Sequence, residues 1–97
     1  MKRRVVVTGI GAVSPIGIGS SNMWENAKAG KLGIDFITQF DTEESKVKIA
    51  GEVKDFDVDG YIDKKEAKRM DRYAQFAVVS AGMALKDAGI DLEKVDR

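Results

Sequence analysis

The sequence predicts an α/β fold that is incomplete on its own, and three stretches of the chain support this prediction. Residues 5–7 are three consecutive valines, an apolar run typical of a strand that is covered on both faces. Residues 47–54 alternate apolar and polar side chains, which predicts a second strand. Residues 71–88 predict a helix that ends at Gly89, is apolar on nearly all sides and is therefore buried on most of them. Because a two-stranded sheet is marginal alone, we expect residues 1–97 to be the N-terminal segment of a larger domain, without an internal boundary.

Two further helices and a loop connect these stretches. Asn22 and Glu25 can form a capping box for a short helix over residues 23–29. Asp63 can cap a second helix over residues 64–70. Residues 31–42 contain several apolar side chains without helical or strand periodicity, so we expect a loop that lies against the core.

Two glycines, Gly9 and Gly11, directly follow the first predicted strand. They allow the backbone to turn tightly or to approach another group closely, at the strand end where α/β proteins usually hold ligands. A dinucleotide-binding fingerprint would need a third glycine where Ser14 stands, and Pro15 then blocks an immediate helix start. We therefore expect no cofactor, and a nucleotide-binding oxidoreductase fragment remains a weaker alternative.

The composition excludes several classes of protein. Lysine and arginine total 16, as do aspartate and glutamate, so the net charge of zero does not favour a nucleic-acid binder. The chain has no cysteine and no histidine, which excludes a disulfide scaffold, a thiolate zinc site and a thiol nucleophile. Thr8 and Ser14 have no activating base nearby in the sequence, so we expect no catalytic residue in these 97 residues.

The basic start, Lys2 to Arg4, superficially resembles the beginning of a signal peptide. The uncharged stretch that follows contains four glycines and a proline, which a signal-peptide helix or a membrane-spanning helix would not tolerate. We expect a cytoplasmic protein that does not enter a membrane.

An acidic run from Asp55 to Glu66 matches the spacing of a calcium-binding loop. Its oxygen ligands and glycine would be Asp55, Asp57, Asp59, Gly60 and Glu66. A calcium loop of this kind needs an entering helix, and the preceding residues 47–54 predict a strand instead. We expect a solvated acidic turn, with a stand-alone calcium-binding module as the alternative function.

Four cations of the helix over residues 64–70 are spaced so that they share one face. They are Lys64, Lys65, Lys68 and Arg69, at relative positions i, i+1, i+4 and i+5. Such a face on a protein of zero net charge suits an acidic partner. The alternative is an ordinary solvated face whose cations pair with nearby carboxylates.

These segments together resemble the β-ketoacyl-acyl carrier protein synthases, and most of all the type II condensing enzyme of bacterial fatty-acid synthesis. The resemblance runs through all 97 residues, with RRVVVTGIGAVSPIG at 3–17 shared by several ketosynthases and KKEAKRMDRYAQFAV at 64–78 more specific. One departure is Ile18, where such enzymes commonly have asparagine.

The resemblance implies a thiolase-like fold of αβαβα layers, usually in a homodimer. It implies decarboxylative Claisen condensation of an acyl thioester with malonyl-acyl carrier protein, by a cysteine assisted by two histidines and a lysine. Those groups would lie beyond residue 97, so we expect this segment alone to be inactive. Carried over to this sequence, the docking surface for the acidic acyl carrier protein is Lys65, Lys68 and Arg69.

Overall fold

The computed structural model describes residues 2–96, which divide by their internal contacts into two compact units. One unit is Val13–Asp57, and the other combines residues 2–12 with residues 58–96. Strands β1 to β4 and helices α1 to α3 are, in chain order, β1 (Val13–Ser14), β2 (Gly17–Ile18), α1 (Ser20–Lys28), β3 (Ile34–Phe36), β4 (Ile49–Gly51), α2 (Lys64–Ala67) and α3 (Arg72–Ala88). A 3-10 turn over Leu92–Lys94 follows. The mixed α/β class that the sequence predicts is confirmed.

The unit Val13–Asp57 contains two antiparallel strand pairs. In the first, β1 pairs with β2 across a turn at Pro15 and Ile16, with Val13 opposite Ile18. In the second, β3 pairs with β4, with Phe36 opposite Ile49. The predicted strand over residues 47–54 is thus confirmed at its centre, although only three of its residues are paired.

The partner of β4 comes from the stretch that the sequence predicts as a loop, residues 31–42. Strand β3 occupies the middle of this stretch, so the loop prediction is wrong there. The expectation that its apolar side chains lie against the core is also wrong, because Leu32, Phe36 and Phe40 are exposed. The periodicity of β3 covers only three residues, which is too short for an alternation pattern to be recognised.

Helix α1 begins earlier than predicted and without the predicted capping box. Its N-cap is Gly19, with a φ of 93° and no side-chain capping hydrogen bond. The side-chain amide of Asn22 instead donates from Nδ2 to the backbone carbonyl of Ile18. The predicted end of the helix is confirmed, since Gly30 follows the C-cap with a φ of 73°.

Residues 2–12 of the other unit do not form a strand, so the first predicted strand is wrong in this structure. Val5, Val6 and Val7 are 92%, 66% and 81% exposed. A strand exists only where its backbone pairs with a neighbour, and within residues 2–96 no segment pairs with this one. The valines therefore have neither the ladder nor the two covering layers that their sequence pattern indicates.

Helix α3 carries the packing of this unit. Asp71 precedes it with extended backbone, and Gly89 ends it in the left-handed conformation with a φ of 66°, as the sequence predicts. Val79 is 1% exposed, whereas Tyr73 and Val78 are exposed, so the predicted burial on most sides is wrong. The described residues cover one face of α3 and leave the rest open.

The face of α3 that is covered lies against Gly9 and Gly11. A Cβ on Gly9 would lie 2.2 Å from the carbonyl oxygen of Ala84, and one on Gly11 would lie 2.0 Å from that of Ser80. The backbone amide of Ile10, between them, donates to Asp87 Oδ2 at 3.0 Å. These glycines therefore serve a close approach of backbone to helix, which is one of the two roles that the sequence allows.

Candidate functional site

Helix α2 is one turn long and is set by hydrogen bonds of the backbone. Asp63 has extended backbone, and its carbonyl accepts from the amide of Ala67 at 2.9 Å. Its side chain makes no capping hydrogen bond, so the predicted side-chain cap is wrong. After Ala67, the backbone amide of Arg69 donates to the carbonyl of Glu66 at 3.0 Å, and that of Met70 donates to the carbonyl of Ala67 at 3.1 Å. These bonds span three residues instead of four, so they tighten the chain into a turn. The helix consequently ends earlier than predicted.

Lys64, Lys65, Lys68 and Arg69, which we call the basic surface, are all exposed on this helix and the turn after it. Ala67, between them in sequence, is only 8% exposed. The exposure of all four cations is consistent with the predicted cationic face, although α2 itself contains only Lys64 and Lys65. The charged side chains are therefore exposed to solvent, and Ala67 is the buried residue of α2.

None of the four cations of the basic surface forms an ion pair with any residue in the range 2–96. The nearest carboxylates in sequence, Asp63, Glu66 and Asp71, are exposed but not paired with them. Local pairing, the ordinary explanation for such a cluster, is not realised here. Four like charges without partners attract an anionic surface and orient it.

The segment before α2 is fixed to α3 by an aromatic side chain. Tyr61 lies against Gly82 so closely that a Cβ there would be 2.5 Å from the ring atom Cδ1. The amides of Tyr61 and Ile62 both bond to the carbonyl of Val58, at 3.0 and 3.1 Å, which closes the predicted acidic turn. The basic surface therefore follows a turn that is anchored on the long helix.

The acidic run from Asp55 to Glu66 does not form a metal site among the described residues. No group of three or more of their aspartate and glutamate side chains is placed to hold a metal ion. The chain before Asp55 is strand β4 followed by three residues that belong to no helix or strand, so no helix enters the run. The structure thus gives no support to a calcium-binding module.

Glu52 is the centre of a hydrogen-bonded cluster in the unit Val13–Asp57. Its carboxylate accepts from Lys54 Nζ at 3.0 Å, from the amide and hydroxyl of Thr38 at 3.0 Å each, and from the amide of Gln39 at 3.1 Å. The side chain is 8% exposed. The hydrogen bond from Lys54, opposed by desolvation and supported by Thr38 and Gln39, lowers the pKa of Glu52 to about 2. The cluster ties the segment after β3 to the segment after β4.

A cavity of about 290 Å³ adjoins this cluster within the same unit. Its polar lining includes Ser14, Asn22, Lys31 and Lys54. The Ser14 hydroxyl donates to the carbonyl of Gly17 at 2.8 Å, and Lys54 is held by Glu52, so both are occupied in structural hydrogen bonds. We assign no chemistry to this cavity.

Comparison with known proteins places the chain in a family. Residues 2–97 match the family model for the N-terminal domain of β-ketoacyl synthases. The chain is 53% identical over 92 residues to the 3-oxoacyl-[acyl-carrier-protein] synthase 2 of Staphylococcus aureus strain COL. It is 44% identical over 95 residues to the protein of the same name from Synechocystis. Among solved structures, the ishigamide ketosynthase/chain length factor superposes with a TM-score of 0.87 at 38% identity.

These relatives are several times longer than this chain. The alignments cover 95% and 98% of the chain but 22% and 23% of the two synthases. The superposition covers 100% of the chain and 24% of the ketosynthase. None of the helices within residues 2–96 combines the length and the apolar character that spanning a membrane requires.

The family match and the similarity of fold together show what this chain is related to. It belongs to the β-ketoacyl synthase family, corresponds to the N-terminal domain of that family and has a thiolase-like fold.

Proposed function

We propose that this chain forms the N-terminal part of a 3-oxoacyl-[acyl-carrier-protein] synthase that elongates acyl chains in fatty-acid synthesis. The proposal rests on the similarity to two synthases of that name over nearly the whole chain. The reaction would be a decarboxylative Claisen condensation of an acyl thioester with malonyl-acyl carrier protein. On the same resemblance we expect a homodimer that works in the cytoplasm.

The proposed role of this segment is binding rather than bond making. The sequence has no cysteine to carry the acyl group and no histidine to assist decarboxylation. The catalytic groups of the proposed synthase would therefore come from parts of the enzyme outside these 97 residues.

The proposed partner of the basic surface is the acidic acyl carrier protein, with Lys65, Lys68 and Arg69 as the main contacts. The observation that carries this proposal is that these cations are exposed and form no ion pairs within residues 2–96. An exposed cation that already has a carboxylate partner would exchange one pair for another and gain little. Unpaired cations gain the full interaction when an acidic surface arrives, and they raise the rate of encounter.

The test is a double charge reversal in the full-length synthase that carries this segment. We expect Lys65→Glu with Lys68→Glu to weaken binding of the acyl carrier protein about tenfold at low salt, because each reversal replaces an attraction by a repulsion. Isothermal titration calorimetry measures the affinity, and the difference should shrink as salt is added.

The matched control reverses two other exposed lysines, Lys46 and Lys94, which produces the same change in net charge. We expect nearly unchanged affinity in this control, because neither lysine lies in the basic surface. Equal weakening in both variants would show a general charge effect and would contradict docking at the basic surface. Unchanged affinity in the Lys65/Lys68 variant would contradict it as well.

A further inference from the structure

The side chain of Gln75 reaches from the first turn of α3 back to the end of α2. Its Nε2 donates to the carbonyl of Ala67 at 2.8 Å and to the carbonyl of Met70 at 3.4 Å. The backbone amide of Gln75 bonds to the carbonyl of Asp71 at 3.1 Å and so belongs to the start of α3. One glutamine therefore connects the long helix to both ends of the turn that follows α2.

Helix α2 needs such support because a single turn is not stable by itself. Four residues form too few hydrogen bonds to offset the entropy of ordering them, and the last carbonyls of any helix lack partners within it. The half-buried Gln75 side chain supplies those partners at the C-terminal end. The carbonyl of Ala67 accepts both from the amide of Met70 at 3.1 Å and from Gln75.

The two carbonyls that accept from Gln75 lie on either side of two of the four basic-surface residues. Lys68 and Arg69 are the residues between Ala67 and Met70, so the Gln75 amide fixes the backbone on both sides of them. Their own long side chains are exposed and make no ion pair within residues 2–96. The backbone that carries these two cations is thus held by Gln75 together with the backbone hydrogen bonds of Arg69 and Met70.

We propose that Gln75 is a positioning residue for docking: it holds the turn that carries Lys68 and Arg69 in the geometry that an acidic partner binds. The inference rests on the proposed function of the basic surface. Pre-ordering this turn reduces the entropy lost when the partner binds, so the contribution of Gln75 appears in affinity. Gln75 itself carries no charge and need not contact the partner.

The test replaces Gln75 with methionine, which keeps the length of the side chain and removes its donor. In the full-length synthase we expect the KM for a carrier-bound substrate to rise about three- to tenfold, the equivalent of one or two lost hydrogen bonds. The kcat and the activity on a carrier-free thioester should stay unchanged. Hydrogen exchange of the amides of residues 68–70 should become faster.

The control is Gln39→Met, the same change at the other glutamine of the chain, whose exposed side chain makes no hydrogen bond within residues 2–96. If Gln75→Met does not fold, Gln75→Asn replaces it, because that amide is one methylene too short to reach both carbonyls.

The charge-reversal variant at Lys65 and Lys68 separates the two proposals. If it weakens binding and Gln75→Met raises KM while kcat holds, Gln75 positions the surface. If it weakens binding and Gln75→Met leaves KM unchanged, the inference about Gln75 is wrong and the proposed function stands. A fall of kcat on both substrate types in Gln75→Met would show a general structural role and would also overturn the inference. If charge reversal leaves the affinity for the acyl carrier protein unchanged, the proposed function of the basic surface is wrong. The inference about Gln75, which rests on it, is then wrong as well.

Discussion

At the residue scale, Glu52 shows how one carboxylate can fix two segments that are far apart in sequence. It accepts hydrogen bonds from Thr38 and Gln39, which follow β3, and from Lys54, which follows β4. Because most of its partners are backbone or hydroxyl donors, protonation would remove acceptors rather than only a charge. Its ionised form is therefore part of the folded state.

The lowered pKa of Glu52 predicts how the effect of Glu52→Gln on stability depends on pH. Because the pKa falls from the usual 4.5 to about 2 on folding, the contribution of Glu52 is complete above pH 4.5 and is lost as the pH falls through about 2. We expect Glu52→Gln to lower the Tm at neutral pH. The difference in Tm between this variant and the wild type should become smaller as the pH decreases from 4.5 to about 2. Thermal unfolding followed by circular dichroism measures both.

Glu44→Gln is the control for this experiment, because Glu44 is exposed and makes no side-chain hydrogen bond within residues 2–96. A constant gap between wild type and Glu52→Gln from pH 6 to pH 2 would rule out this account of Glu52. An effect of Glu44→Gln as large as that of Glu52→Gln would do the same.

The residues that could be predicted from the sequence are those whose environment depends on near neighbours. Lys65, Lys68 and Arg69 are exposed as the predicted helical face requires, although Lys68 and Arg69 lie in the turn after α2. The left-handed Gly89 follows from its place after an apolar helix. Glu52 and Gln75 were missed, because their partners lie up to 14 and 8 residues away and depend on how segments pack. No local pattern distinguishes Gln75 from an ordinary surface glutamine.

At the element scale, the contact between residues 9–11 and α3 is set by backbone approaching backbone. Gly11→Ala would place a Cβ 2.0 Å from the carbonyl oxygen of Ser80, and neither side can move as a flexible side chain would. We expect a loss of about 3 kcal/mol in the free energy of unfolding, typical of overpacking that displaces an element. Urea denaturation measures it.

Gly60→Ala is the matched control, since a Cβ there meets nothing within 4 Å and the only cost is the φ of 87°. That cost is about 1–2 kcal/mol. The close-approach account requires Gly11→Ala to be clearly the more destabilising of the two. Equal losses would contradict the close-approach account, because Gly11, unlike Gly60, has no positive φ that would add a cost of its own.

Elements that depend only on their own residues were predicted better than elements that need a partner. Helix α3 was predicted within a residue at either end, since its hydrogen bonds are internal. Strands need a second segment, so β4 was found but its partner β3 was not. The predicted strand over residues 5–7 has no partner among the described residues and is unpaired for that reason.

At the scale of the whole molecule, the exposed valines connect the short chain to its longer relatives. Val6 and Val7 point to opposite sides if their segment is extended, and both are exposed here at 66% and 81%. The chain spans 22% of the S. aureus synthase, and its valine run is typical of a strand covered on both faces. In a full-length synthase, we therefore expect both side chains to be buried.

Val→Thr substitutions test this expectation, because threonine keeps the shape of valine and adds a hydroxyl that is costly only when buried. In the proposed full-length synthase, Val6→Thr and Val7→Thr should each destabilise the fold by about 1–3 kcal/mol. In the 97-residue chain alone they should cost little and should reduce self-association, measured by analytical ultracentrifugation. A cost for only one of the two in the full-length protein would mean that the segment is covered on a single face, and a cost for neither would mean that the valines stay exposed there too.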